Sequence, residues 1–140
     1  MGLHTSHGCW TGSHHAFNDW RRAIAKAAGL PPLDLMNGFF DLRNAKTQEA
    51  LAQCQEHTLA IKWSPYEHLP ITKLLNHSDC DGVILVEDCE VIADALQRLL
   101  PALYKISHAN CPWPWILAST VVFIQGLRDA AKAGENVEFH

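Results

Sequence analysis

The run Asn76-His77-Ser78-Asp79-Cys80-Asp81-Gly82 gathers an imidazole, a thiol and two carboxylates into one tight turn. Aspartates at alternate positions before a glycine put both carboxylates on one side of the bend, and the glycine permits the bend. An EF-hand calcium loop uses the same device, with oxygen ligands at its first, third, fifth and twelfth positions and a glycine at the sixth. With Gly82 at the sixth position, Asp79, Asp81 and Asp88 fall at the third, fifth and twelfth, and Ile84 can anchor the loop. Two positions depart from that pattern. His77 stands first, where a neutral imidazole is a poor calcium ligand, and Asp88 replaces the usual bidentate glutamate, with Glu87 beside it. The acidic bias is local, because Leu74 to Gln97 holds six carboxylates and no lysine or arginine. The expected metal ligands are His77, Asp79, Asp81 and Asp88, for a divalent cation, calcium or zinc. The competing explanation is an Asp-rich turn leading into a helix whose N-terminus attracts acids.

Other chemistry-bearing residues lie near the chain ends. In Ser6-His7-Gly8-Cys9-Trp10 an imidazole stands two residues from a thiol, a spacing that suits two metal ligands or a thiolate beside a base. At the other end, Glu138 and His140 share one side of a strand pattern. Together these residues define an expected ligand-binding set of His7, Asn76, His77, Asp79, Asp81 and His140. No spacing identifies catalytic residues. The cluster Arg21, Arg22 and Lys26 reads as the solvated face of a helix, with phosphate contact the less favoured alternative.

The chain that must position these groups has 140 residues, 48% of them hydrophobic, enough to build one core without staples. Five widely spaced cysteines, with no Cys-x-x-Cys pair and no secretory signal ahead of them, predict reduced thiols in the cytoplasm. A formal charge of −4 argues against nucleic acid as a partner. The uncharged stretch Ile106 to Leu127 contains Pro112, Pro114, His108 and Asn110, so no membrane span is expected.

Hydrophobic spacing predicts a helix from about His14 to Ala28, with Ser13 as its N-cap and Gly29 as its stop. Cys89, Ile92, Leu96 and Leu99 predict another from Glu87 to Leu100, closed by Pro101. A third runs from about Trp115 to Ala133, and its first half is apolar nearly all round, which marks a core or subunit contact. Further expectations are a helix from Thr47 to His57, a short strand from Leu59 to Trp63 and helical turns between Ile71 and Asn76. Gly2 to His7 and Val137 to His140 read as terminal strands whose pairing would bring His7 near His140.

The segments Ser6 to Trp10, Pro31-Pro32-Leu33-Asp34, Leu75 to Gly82, Ile92-Ala93, Gly134-Glu135 and Val137 to His140 resemble a family of short uncharacterised bacterial and bacteriophage proteins. The resemblance carries no reaction, substrate or catalytic residue. It implies a bacterial or phage setting, and it implies that Val137 to His140 is a genuine end.

The expected fold is a single α+β domain over residues 1–140, mainly helical, with a small sheet formed by the terminal strands. The expected function is non-catalytic binding of a small polar ligand, a cation or a host protein beside the His77–Gly82 turn, with a phage accessory or anti-defence role as the setting. One alternative is a small metal-dependent hydrolase using His7, His77, Asp79 and Asp81 to activate water. Another is an assembly protein that forms a homodimer through its apolar C-terminal helix.

Overall fold

The computed structural model describes residues 2–31, 33, 36, 62–78, 81–109 and 115–140, with 106–109 as backbone only. Strand β1 (Gly2–His4) pairs antiparallel with β2 (Thr11–Ser13), Leu3 opposite Gly12, and a 3-10 turn at Ser6–Gly8 lies between them. Ser13 then caps α1 (His14–Ala27), its Oγ accepting the Ala16 N–H at 3.0 Å. The short helix α2 (Thr72–Leu75) precedes β3 (Val83–Ile84), and two long helices follow, α3 (Val86–Ala109) and α4 (Trp115–Ala133). Strand β4 (Val137–Glu138) pairs antiparallel with β3.

The two strand pairs meet at the chain ends. Thr5 bridges Phe139, and His4 and His140 exchange backbone hydrogen bonds of 2.8 and 3.2 Å. The domain is therefore mainly helical α+β with its small sheet built on the terminal strands, as the sequence predicts. The residue paired with His140 is His4, whereas the His7 imidazole lies 3.6 Å from the Glu135 carboxylate. Among the described residues no helix is long and apolar enough to cross a membrane.

Helix α3 departs from expectation at its end. Pro101 lies inside it, and the helix continues to Ala109. A proline in a helix interior loses one hydrogen bond and costs about 3 kcal/mol. Beyond Pro101, Leu103 is fully buried, and burying a leucine side chain recovers about 2–3 kcal/mol. Tertiary packing thus offsets the local break. Strands β2 and β3 are too short to show a hydrophobic period and had no signature in the sequence. The expected helix at 47–57 lies outside the described residues, as does most of the expected strand at 59–63.

The core is an aromatic cluster joining α1, α4 and both chain ends. Trp20 stacks on Phe123 at 4.7 Å between centroids, and Phe17 meets Phe139 edge-on at 5.9 Å. Thr120, fully buried on α4, is satisfied on both sides, accepting from the Trp20 indole at 2.9 Å and donating to the Ile116 carbonyl at 2.7 Å. Gly126 lets α4 approach the N-terminal segment, since a Cβ there would stand 2.5 Å from the Cys9 Sγ and 2.9 Å from its Cα. The apolar run of α4 is largely used in this way: Ile116, Phe123, Ile124 and Leu127 face the chain's own core, leaving Val121 and Val122 exposed.

Candidate functional site

The site is built from Arg21 upward. This arginine sits in the apolar stripe of α1, four residues after Phe17, and is 1% exposed. Its guanidinium lies 4.6 Å from the Phe17 ring centroid and donates to the backbone carbonyls of Leu74, Leu75 and His77, and to the Asn18 amide oxygen. A helix leaves its last carbonyls without partners and carries partial negative charge there. Arg21 satisfies that end of α2 and fixes the direction in which residues 76–78 leave it.

His77 is the next piece. Its ring lies 4.2 Å from the Phe139 ring, Nδ1 is 2.8 Å from the Ser78 carbonyl oxygen, and Nε2 is 2.8 Å from the Val83 carbonyl oxygen. The ring spans the neck of the turn like a clasp. A neutral imidazole carries one N–H and donates to one carbonyl; an imidazolium donates to both. Gly82, at φ +90°, closes the turn under the ring, where a Cβ would stand 3.3 Å from the His77 Cε1. The Gly82 carbonyl in turn accepts the Phe139 N–H at 2.9 Å.

Helix α3 begins where the turn ends. The Val86 N–H donates to the Asn136 side-chain oxygen at 2.8 Å, so the C-terminal segment supplies the cap. Asp88 in the first turn of α3 pairs with Lys73 of α2 at 2.6 Å. Between α2, β3 and this first turn lies a cleft of about 480 Å³. Glu67, Lys73, Asn76, His77 and Asp88 bring both signs of charge, an amide and an imidazole to it, and Val83, Ile84 and Leu85 give it an apolar edge.

The structure brings some of the expected residues together and separates others. Asn76, His77 and Asp88 line the cleft. Asp81 is exposed outside that lining, its N–H donating to the Ser78 hydroxyl at 3.4 Å. Asp79 lies outside the described residues. His7 and His140 belong to the strand junction and do not line the cleft. Both His77 ring nitrogens face carbonyls and Asp88 is engaged by Lys73, and among the described residues no group of three or more histidine, cysteine or carboxylate side chains is placed to hold a metal ion. Two further carboxylates of the acidic stretch meet a cation on another element, since Arg128 of α4 bridges Glu90 at 2.6 Å and Asp94 at 3.1 Å.

Cys9 is 1% exposed, and burial pushes its thiol up to about 12, helped by the neighbouring Cys89. Burial, with Asp88 and Glu90 nearby, raises Cys89 as well. A thiol held protonated is not a nucleophile at neutral pH, so the His7–Cys9 pair does not form an activated thiolate here. Sequence reasoning missed Lys73 and Glu67, which carry no motif. It also placed Arg21 on a solvated face, although an arginine one residue from Trp20 and four from Phe17 already lies in the buried stripe.

No protein-family model matches the chain, and no curated protein or solved structure matches it.

Proposed function

We propose that this chain is a non-catalytic binding protein that holds a small polar ligand in the cleft beside the His77–Gly82 turn, in the cytoplasm of a bacterial or phage-infected cell. The observation that carries this reading is the cleft's lining: the Lys73 ammonium, the Glu67 and Asp88 carboxylates and the Asn76 amide around one space of about 480 Å³. Small-molecule sites combine a concave space of this size with a few convergent polar groups and an apolar wall. Groups of both charge signs suit a ligand that carries both a cationic and an anionic or carbonyl group. The bacterial or phage setting rests on the resemblance of the Ser6–Trp10, Leu75–Gly82 and Val137–His140 segments.

Native mass spectrometry of the protein from its own cells tests this. One small molecule should be bound per chain, and Lys73→Ala or Asn76→Ala, both at exposed positions, should release it without unfolding the protein. A bare-chain mass for the wild type, or a bound mass that survives both substitutions, overturns the reading. An added mass removed only by a chelator would transfer the site to a cation held by His77, Asp79, Asp81 and Asp88.

A further inference from the structure

A second groove, of about 490 Å³, lies between the β1–β2 hairpin and α4, and its lining shares no residue with the first cleft. Gly12, Ala16 and Ala118 leave the space by their small size, and Trp10, Trp115 and Val122 wall it. Among the described lining residues none is charged.

Trp10 is the unusual member. It is 6% exposed, and its indole Nε1 is closed to water with no hydrogen-bond partner. Trp20, 5.6 Å away in the same cluster, has its indole N–H satisfied by Thr120 at 2.9 Å. The molecule therefore satisfies one buried indole and leaves its neighbour unsatisfied, although buried donors are nearly always paired. The unsatisfied edge faces Gly12, itself on the groove wall, and a Cβ at that position would stand 3.3 Å from Nε1. A side chain at position 12 would thus crowd the indole nitrogen, and glycine avoids this.

We infer that this groove binds a compact, mainly apolar molecule carrying one hydrogen-bond acceptor, and that the acceptor pairs with the Trp10 indole N–H. The apolar walls supply attraction without selectivity. The unpaired donor supplies the selectivity, because a ligand that satisfies a buried polar group is favoured over an isostere that leaves it unpaired. The nitrogen is closed to water, so the ligand reaches it as the Gly12 segment gives way slightly.

A shape-matched pair of probes tests the inference: 1-indanone, which has a ketone oxygen, and indane, which does not. Both are titrated into uniformly 15N-labelled full-length protein, and the indole N–H resonances are followed. The Trp10 resonance, identified by its loss in Trp10→Phe, should move downfield with 1-indanone, while the Trp20 resonance stays nearly fixed. Binding of 1-indanone should be about tenfold tighter than that of indane. Trp10→Phe should abolish this preference. If that variant does not fold, Gly12→Ala decides, since its added methyl obstructs the indole edge and should also erase the preference. Equal affinity of the two probes for the wild type, no binding of either, or shifts centred away from Trp10 overturns the inference. So does concentration-dependent self-association that perturbs these same residues, which would make the groove a contact between copies of the chain.

Discussion

Arg21 decides more of the site than any residue whose side chain faces the cleft. Its Nη1 reaches three carbonyls at the end of α2 from inside the core while Nη2 reaches the Asn18 amide oxygen, a two-nitrogen geometry that a lysine ammonium does not reproduce. The Leu74 carbonyl also accepts the His77 N–H, so replacing Arg21 with Met should remove the side-chain donor from the Leu75 and His77 carbonyls and cost about 2–4 kcal/mol in urea unfolding. Arg21→Lys should recover only part of that loss. Cys9 makes a prediction of opposite character. Its thiol titrates near 9.0 when unfolded and near 12 in the fold, so the folded chain retains a proton that the unfolded chain gives up between those values. Stability is then complete below about pH 9 and falls as pH rises toward 12. Unfolding midpoints measured at pH 7 and pH 10.5 should show this loss, and Cys9→Ala should show less of it. In native protein at pH 7.5, Cys9 should resist alkylation until denaturant is added.

At the scale of elements, the ends of α3 and α4 depend on residues distant in sequence. Asn136 caps α3 from fifty residues away, so Asn136→Ala should cost about 1 kcal/mol and increase amide exchange in the first turn of α3. The approach of α4 to the N-terminal segment depends on Gly126. A methyl there meets Cys9 backbone and sulfur well inside van der Waals contact, so Gly126→Ala should destabilise by about 1–3 kcal/mol despite alanine's higher helix propensity. A stabilising effect in thermal unfolding would show that α4 can move away from Cys9 without loss. Helix existence was legible because apolar residues recur at 3.6-residue spacing through Phe17, Trp20 and Ile24, and through Cys89, Ile92 and Leu96. The end of α3 was not, because a proline's local cost is written in the sequence while the packing that offsets it around Leu103 is not.

For the whole molecule, the two chain ends act as one structural unit. The Phe139 ring packs on Phe17 and against His77, and its backbone bridges Thr5, so the core, the cleft and the terminal sheet share one residue. Phe139→Ala should cost about 3–5 kcal/mol. Because the ring also supports His77, the same substitution should weaken ligand retention in the cleft. Cleft variants such as Asn76→Ala should affect retention alone, and comparing the two by native mass spectrometry and urea unfolding separates the site from its support.

Composition and apolar periodicity determined a mainly helical α+β class, the terminal segments read as strands, and Gly82 marked the turn. These are local properties: a period, a cap, a glycine where φ must be positive. The partners of the polar groups were decided only by the tertiary structure. Asp88 belongs to Lys73, Glu90 and Asp94 belong to Arg128, His77 to two carbonyls and a phenyl ring, and His7 to Glu135 rather than to His140. Charge pairing and hydrogen bonding act over a few ångströms in space, and the ion-paired residues named here are separated by 15 to more than 120 positions along the chain, whereas the two carbonyls that face His77 lie within six positions of it. The local sequence puts Asp88 at the spacing of a calcium loop, and only the folded chain shows its carboxylate beside Lys73.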